Sequence, residues 1–247
     1  MSNSSTPLVS LVGGGPGAWD LITVRGMHRL QDAEVILADH LGPAPELDKL
    51  CDISTKEVID VSKLPYGKQV AQEKINEMLV AYAQAGKKVV RLKGGDPYVF
   101  GRGFEELQAL AAHGFATEVV PGVTSAISAP ALAGIPITQR GVVHSFTVIS
   151  GHVAPQHPTC LNDYAALAHT GGTLAVIMGV KNAPLIAQAL IDAGKPADTA
   201  AAIIQEGSTE TQRVFRCTLG TLADTMAANE VAPPAVYVIG EVAALEA

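Results

Sequence analysis

Residues 89–103 read VVRLKGGDPYVFGRG, a short apolar strand that runs directly into a glycine-rich loop. The adjacent Gly94 and Gly95 allow the backbone to approach a ligand closely, because neither residue carries a side chain. Asp96 is then placed to face an ammonium group, and Pro97 stiffens the exit from the loop. No Gly-Lys-Ser or Gly-Lys-Thr sequence follows, which excludes a loop for nucleoside triphosphates. The stretch therefore predicts a ligand-binding loop at the end of a strand.

Around this stretch, the first half of the chain alternates short apolar runs with helical patterns. We predict strands at residues 8–12, 35–38, 89–92 and 119–120. We predict one helix that is capped by Thr23 and runs through Leu30, and a second over 70–85. A third predicted helix ends at Gly114, and its apolar face consists of Phe104, Leu107, Leu110 and Ala111. This rhythm predicts a mostly parallel sheet covered by helices, with glycine loops at the carboxyl ends of strands, where open α/β sheets bind ligands.

From Pro121 the composition changes, which predicts a second domain. Small residues dominate 123–133. We assign four prolines, Pro130, Pro136, Pro155 and Pro158, to a wider system of loops. We predict strands at 173–178, 200–204 and 235–239, and helices at 183–193 and 219–228. With a boundary near residues 118–122, the predicted fold class is α/β with two domains, 1–120 and 121–247.

Composition excludes several classes of protein. Hydrophobic residues make up 48% of the 247 residues, which is too rich for a disordered chain. A net charge of -7 without a basic block argues against nucleic-acid binding, and no apolar run approaches the roughly 20 residues that span a bilayer. Residues 1–7 are polar and uncharged, so we expect a cytoplasmic protein. Scattered cysteines and histidines predict no metal site.

The first glycine loop, GGGPGA at residues 13–18, has two interpretations. It matches the loose dinucleotide fingerprint, and Asp39 follows about 20 residues later, where a ribose-binding acid is found in nicotinamide enzymes. However, Pro16 has no N–H and so removes one donor that a pyrophosphate cradle needs. A tight turn between strand and helix, without a ligand, is the second interpretation, and this loop alone leaves both open.

Taken together and in order, these motifs resemble the tetrapyrrole methylase superfamily, and within it the enzymes that methylate uroporphyrinogen III. The resemblance covers nearly the whole chain. Its motifs are VGGGPG at 12–17, LITVRG at 21–26, DAEV at 32–35, residues 89–103 with Glu105 and Glu106, VPGVTSA at 120–126, GIPITQR at 134–140, and MG at 178–179.

The resemblance implies two α/β domains with S-adenosyl-methionine in a cleft between them, a tetrapyrrole substrate and a homodimer. The first domain lies on the tetrapyrrole side and the second binds the nucleoside of the cofactor. S-adenosyl-homocysteine is the implied product, and no metal is implied. The implied cofactor-binding residues are Pro16, Gly94, Gly95, Asp96, Val99, Thr124, Ser125, Met178, Gly207, Pro233 and Ala235.

For the substrate, the resemblance implies Asp39 as proton acceptor and Lys63 as proton donor. Positions that bind the tetrapyrrole correspond to Arg102, Glu105 and Arg140. Alternatively, Arg102 pairs with Glu105 or Glu106 at the start of a helix, and Lys63 is a solvated loop residue. The sequence departs from the family where His40 replaces an arginine, where Phe104 replaces a glycine, and over residues 62–69.

The implied reaction methylates two pyrrole carbons of uroporphyrinogen III and gives precorrin-2, for sirohaem or cobalamin synthesis. Three alternatives stay open: a methylase for a later corrin intermediate, a nicotinamide-dependent oxidoreductase, and a cofactor-binding relative without activity. The sequence contains no additional dinucleotide domain and no appended synthase, so we expect methylation alone.

Overall fold

The computed structural model describes residues 8–62 and 71–246, and the chain divides into two compact units, Met1–Thr124 and Ser125–Ala247. Each unit contains one five-stranded sheet with its own helices. The division falls a few residues beyond the boundary that we predict at 118–122. Within the described residues, no helix combines the length and the hydrophobicity needed to cross a membrane.

The sheet of the first unit is entirely parallel, with strand order β3-β2-β4-β1-β5. Its strands and helices are β1 Val9–Gly13, α1 Val24–Asp32, β2 Val35–Ala38, β3 Glu57–Asp60, α2 Gln72–Gln84, β4 Val89–Lys93, α3 Gly103–Ala112 and β5 Thr117–Val120. The predicted parallel sheet is thereby confirmed for this unit. All residues of β1, β2 and β4 are buried, which explains the mainly apolar sequences of β1 and β2, whereas β4 also buries Arg91 and Lys93.

Local signals fix the ends of the helices in this unit. The side chain of Thr23 accepts a hydrogen bond from the backbone N–H of Gly26, which caps α1 as predicted. Gly86 and Gly114 follow α2 and α3 with φ of +72° and +80°. This left-handed conformation suits glycine and ends both helices where the sequence predicts.

The buried face of α3 differs from the prediction. Phe104 is 57% exposed and Ala111 is exposed, whereas Glu106 is completely buried beside Leu110. A buried carboxylate is tolerated here because two cations, Arg91 and Lys93, contact it. An apolar pattern cannot predict a helix face that is centred on a charged residue.

The second unit has a mixed sheet with strand order β6-β7-β10-β8-β9, in which only β6 and β7 are parallel. Its strands and helices are α4 Ser125–Leu132, β6 Phe146–Ser150, α5 Tyr164–His169, β7 Thr173–Ile177, α6 Ala183–Asp192, β8 Ala200–Gln205, β9 Arg213–Thr218, α7 Leu222–Ala228 and β10 Ala235–Ile239. The predicted strands at β7, β8 and β10 are present, as are the predicted helices at α6 and α7. The last of these begins later than predicted, because Leu219–Thr221 forms a turn of 3-10 helix.

The assignment of Pro130 to a loop is wrong, because this residue lies inside α4. The short helix buries Ala126, Ala129 and Pro130, and the two alanines pack in a core that includes Val236 of the sheet. Burial of these small side chains favours a helix where composition alone suggests a loop. The helix ends at Leu132, two residues after the proline.

Candidate active site

In the first unit, the glycine loops meet at the carboxyl ends of the parallel strands. The first loop follows β1, and the loop with Gly94 and Gly95 follows β4, the neighbour of β1 in the sheet. Gly95 donates its N–H to the carbonyl oxygen of Gly15 at 2.7 Å, and Gly15 donates to the carbonyl oxygen of Gly95 at 3.2 Å. The two predicted loops are therefore joined by a reciprocal pair of backbone hydrogen bonds.

Glycine is required sterically at several points where these loops touch. A Cβ atom on Gly13 would lie 2.5 Å from the Cα of Gly122, and one on Gly94 would lie 2.6 Å from the Cβ of Leu41. Real Cβ contacts do not occur at such distances. The loops after β1, β4 and β5 thus pack backbone against backbone, and the loop after β2 contacts Gly94 through Leu41, which leaves no room for a side chain on either glycine.

Asp96 joins two of these loops through its carboxylate. One oxygen, Oδ1, accepts the N–H of Tyr98 at 2.8 Å, and the other, Oδ2, accepts the N–H of Gly122 at 3.0 Å. A carboxylate has about four lone-pair sites, so these two bonds leave acceptor capacity for an ammonium group. Two further predicted cofactor residues, Pro16 in the loop after β1 and Val99 in the loop after β4, are partly buried.

Asp39 follows β2 and is held by an arginine that the sequence analysis did not select. Nη2 of Arg91 donates to Oδ1 of Asp39 at 2.6 Å, and the backbone N–H of Asp39 donates to the carbonyl oxygen of Leu92 at 3.2 Å. The side chain of Arg91 is 3% exposed, whereas that of Asp39 is 26% exposed. The carboxylate is therefore fixed from the interior and reaches solvent.

Glu106 is the centre of the charged cluster beneath Asp39. Its Oε1 accepts hydrogen bonds from Arg91 Nε at 3.1 Å, Lys93 Nζ at 3.0 Å and Gln72 Nε2 at 3.2 Å. Burial lowers the pKa of Lys93, the nearby charge of Arg91 lowers it further, and Glu106 partly offsets both effects. The sequence does carry a signal for this cluster: two cations in the buried strand VVRLK need a counter-charge.

Arg102 and Glu105, both predicted to bind the substrate, pair with each other. Nε and Nη2 of Arg102 donate to the two carboxylate oxygens of Glu105 at 2.9 and 2.7 Å. The side chains remain 55% and 49% exposed, and Arg102 adopts a left-handed φ of +57° immediately before α3. The hydrogen bonds from Arg102 lower the pKa of Glu105, so the pair is ionised and accessible.

In the second unit, three predicted cofactor residues share one edge of the sheet. Met178 follows β7, Gly207 lies just beyond β8, and Ala235 begins the antiparallel strand β10 between them. The register pairs Ala235 with Gln205, and its neighbour Val236 with Ile177. The three residues therefore lie side by side, next to the cis peptide between Pro233 and Pro234.

The backbone at this edge is unusual, and α4 lies close to it. Met178 has φ of +55° with its side chain 49% exposed, and Glu206 has φ of +50°. The N–H of Glu206 donates to the carbonyl oxygen of Pro234 at 2.9 Å. A Cβ atom on Gly207 would lie 2.7 Å from the Cβ of Ala129, so α4, which begins at Ser125, packs directly against this loop.

The remaining predicted residues are placed separately. Arg140 is exposed in a turn that the backbone hydrogen bonds between Gln139 and Val143 close. Thr124 is the partly buried last residue of the first unit. Lys63 lies outside the described residues. Across residues 8–62 and 71–246, no group of three or more histidine, cysteine or acidic side chains is arranged to hold a metal ion.

A family model for tetrapyrrole (corrin/porphyrin) methylases matches residues 8–223. The chain belongs to this family. The resemblance stated above is confirmed, and so is the α/β methylase fold. Membership favours methyl transfer over the nicotinamide interpretation of the first loop.

Similar proteins agree with this assignment. The chain is 43% identical over 234 residues to a uroporphyrinogen-III C-methyltransferase of Priestia megaterium, covering 95% of this chain and 97% of that protein. It is 44% identical over 242 residues to a siroheme synthase of Stutzerimonas stutzeri (strain A1501), covering 96% of this chain. The chain spans about half the length of the siroheme synthases that it matches, 50% in this case.

Solved structures show the same fold. A uroporphyrin-III C-methyl transferase of Thermus thermophilus in complex with S-adenyl homocysteine is 36% identical, with a TM-score of 0.79 over 95% of this chain and 92% of that one. A cobalt precorrin-4 methyltransferase of cobalamin biosynthesis is 25% identical, with a TM-score of 0.84 over 95% of each chain.

Proposed function

We propose that the protein transfers methyl groups from S-adenosyl-methionine to two pyrrole carbons of uroporphyrinogen III, giving precorrin-2 and S-adenosyl-homocysteine. The observation that carries this proposal is the 43% identity to a uroporphyrinogen-III C-methyltransferase along 97% of its length. The product has the chemistry of a precursor of sirohaem and cobalamin. The names of the siroheme synthases and of the cobalamin biosynthetic enzyme support a role in the synthesis of either compound.

The loops of the first unit suit the amino-acid end of this cofactor. Gly94 and Gly95 present backbone without side chains, and Asp96 supplies a carboxylate with acceptor capacity for the ammonium group, beside Pro16 and Val99. We assign the nucleoside end of the cofactor to the second domain. The residues proposed to contact it are Met178, Gly207, Pro233 and Ala235, and Thr124 and Ser125, at the start of that domain, are also proposed to contact the cofactor. When bound, the cofactor supplies a methyl group that its positive sulfur already activates.

The substrate carries many carboxylates, which arginine binds well through paired hydrogen bonds. We assign this role to Arg102 and Arg140, with Glu105 aligning the guanidinium of Arg102. Both arginines are exposed, so neither pays a large cost of burial before the substrate arrives. Of these residues, Arg102 and Glu105 belong to the first unit and Arg140 to the second.

Asp39 is the proposed proton acceptor. The attacked pyrrole carbon already carries a carboxylated side chain and has no hydrogen, so the cationic ring system that methylation leaves must lose a proton from a neighbouring position. A positioned carboxylate assists this loss. Its 26% exposure lets Asp39 release the proton to water afterwards. We keep Lys63 as the proposed proton donor, and we further propose a cytoplasmic homodimer, as the family resemblance implies.

An anaerobic assay with S-adenosyl-methionine and uroporphyrinogen III tests the proposal, with products identified by mass and absorbance. We expect two added methyl groups. The similarity to a cobalt precorrin-4 methyltransferase supplies the second candidate, a methylase for a later corrin intermediate. Unmethylated uroporphyrinogen III, together with measurable S-adenosyl-methionine binding, would reject the first candidate in favour of the second.

A further inference from the structure

The charged cluster beneath Asp39 is more elaborate than the fold requires. Leucine or valine at Arg91 and Glu106 would fill the interior at a lower cost of desolvation, because buried ion pairs are often no more stable than apolar side chains of similar volume. The cluster nevertheless places two cations and one carboxylate in the core, with one guanidinium nitrogen directed at Asp39. This cost indicates a role in the site.

Arg91 is held rigidly by acceptors from three elements. Nη1 donates to the carbonyl oxygens of Leu37 on β2, at 3.3 Å, and Leu92 on β4, at 2.9 Å. Nε donates to Glu106 on α3 at 3.1 Å. Because the guanidinium is planar, fixing these two nitrogens also fixes the direction of Nη2, which donates to Asp39 at 2.6 Å.

Glu106 is held in turn by donors other than Arg91. Lys93 and Gln72 donate to the same oxygen, and Gln72 also donates to Asn76 one helical turn later on α2. The side chain of Glu106 is 0% exposed, so water does not compete for it. The carboxylate therefore anchors Arg91 at Nε, next to the Nη2 that donates to Asp39.

We propose that Arg91, anchored by Glu106, is a positioning residue that aims the carboxylate of Asp39 at the carbon next to the methylated pyrrole, which loses a proton. This inference rests on the proposed function, in which Asp39 is the proton acceptor. The methyl group forms a bond to a fully substituted pyrrole carbon as its bond to sulfur breaks, which leaves the pyrrole cationic. A C–H bond of the neighbouring bridging carbon then breaks, its electron pair neutralises the cationic ring, and its proton moves to Asp39. Arg91 keeps all of its protons throughout.

A double-mutant cycle with Arg91→Lys and Asp39→Asn tests the proposal. Lysine keeps the buried charge but loses the planar fork. We expect Arg91→Lys to lower kcat about 100-fold, the scale for misplacing a reacting group by about 1 Å, with KM for uroporphyrinogen III changing little. In the Asp39→Asn background, the same change should cost less than about threefold, because the residue through which Arg91 acts is already disabled.

Independent losses that multiply in the double variant would overturn the proposal, and so would a wild-type kcat for Asp39→Asn. Calorimetric binding of S-adenosyl-methionine and thermal unfolding show whether each variant is folded. If Arg91→Lys does not fold, Glu106→Gln replaces it in the same cycle with the same expected non-additivity.

Arg29→Lys is the matched control, because Arg29 on α1 also pairs with a carboxylate in the first unit, that of Glu118 on β5, and neither residue belongs to the loops at the carboxyl ends of the strands. It should leave kcat unchanged. Wild-type protein that does not methylate uroporphyrinogen III would refute the proposed function, an outcome distinct from any result of the cycle.

Discussion

A Cβ atom built on Gly122 would lie 2.2 Å from the carbonyl oxygen of Gly95. It would also lie 2.6 Å from the Cα of Gly13, so the obstacle on both sides is backbone. Gly122 follows β5, Gly13 is the last residue of β1, and Gly95 lies in the loop after β4. The absence of one side chain thus allows three loops of the proposed cofactor site to meet.

Gly122→Ala should therefore separate these loops. We expect a loss of about 3 kcal/mol in the free energy of unfolding, the upper end for overpacking, and weaker binding of S-adenosyl-methionine. Urea denaturation and titration calorimetry measure the two effects. Gly171→Ala is the control, because a Cβ atom there meets nothing within 4 Å. Equal stability of the two variants would show that the loops yield easily.

Asp96→Asn should weaken cofactor binding by more than tenfold, which corresponds to about 1.4 kcal/mol. The amide keeps one acceptor oxygen, but its NH₂ group must face either Tyr98 N–H or Gly122 N–H, and the charge for the ammonium group is lost. Titration calorimetry with S-adenosyl-methionine measures the change.

The control for Asp96 is Asp52→Asn. Asp52 accepts the N–H of Ser54 at 3.0 Å in an exposed turn, so it has a similar backbone role without a proposed ligand. Its replacement should leave the cofactor Kd unchanged. If the Kd of Asp96→Asn is also unchanged, Asp96 does not bind the cofactor, and its role is limited to its hydrogen bonds with Tyr98 and Gly122.

The strands that the sequence did not predict share a position in the fold. β3, β6 and β9 all lie at sheet edges, where one side of the strand has no neighbour. Every residue of β3 is exposed or partly exposed, and Phe146 of β6 is 45% exposed. Such strands lack the continuous apolar run by which the central strands were predicted.

Only part of the candidate site, like only part of the fold, could be predicted from the sequence. Gly94, Gly95 and Asp96 could be predicted from the sequence, because two glycines next to an acidic residue form a recognisable pattern within one loop. The cluster of Arg91, Lys93 and Glu106 depends on contacts between β4 and α3, and the spacing of residues along the chain does not report such contacts. Pairing of Arg102 with Glu105 was one of two interpretations that the sequence left open, and only coordinates reveal it.

Arg102→Ala should raise KM for uroporphyrinogen III about tenfold and leave the Kd of S-adenosyl-methionine unchanged. The variant loses a bidentate donor for a substrate carboxylate, and it leaves Glu105 unpaired as a repulsive charge. Arg102→Lys should give an intermediate KM, because it keeps the charge without the planar fork. Steady-state kinetics under anaerobic conditions measure both variants.

The control for Arg102 is Arg25→Ala, whose side chain is 66% exposed on α1 in the same unit. It should not change KM. If both arginine variants raise KM equally, general surface charge rather than a specific contact attracts the substrate. A wild-type KM for Arg102→Ala would remove Arg102 from the proposed site.

Glu118 should make the stability of the protein sensitive to acid. Hydrogen bonds from Arg29, and more weakly from Ser10, lower its pKa below the ordinary value of 4.5, against an opposing effect of burial. Because the folded state holds the proton less tightly than the unfolded state, this stabilisation is complete above the ordinary value. It is lost as the pH falls below that value, through the lower pKa of the folded state.

Glu118→Gln should accordingly cost about 1 kcal/mol at pH 7, the upper end for pairs near the surface, and the difference from wild type should vanish toward pH 3. Urea denaturation at several pH values measures this convergence. The control is Glu210→Gln in an exposed turn, which should follow the wild type at every pH. A constant difference between Glu118→Gln and wild type down to pH 3 would mean that packing of the side chain, and not its charge, stabilises the fold.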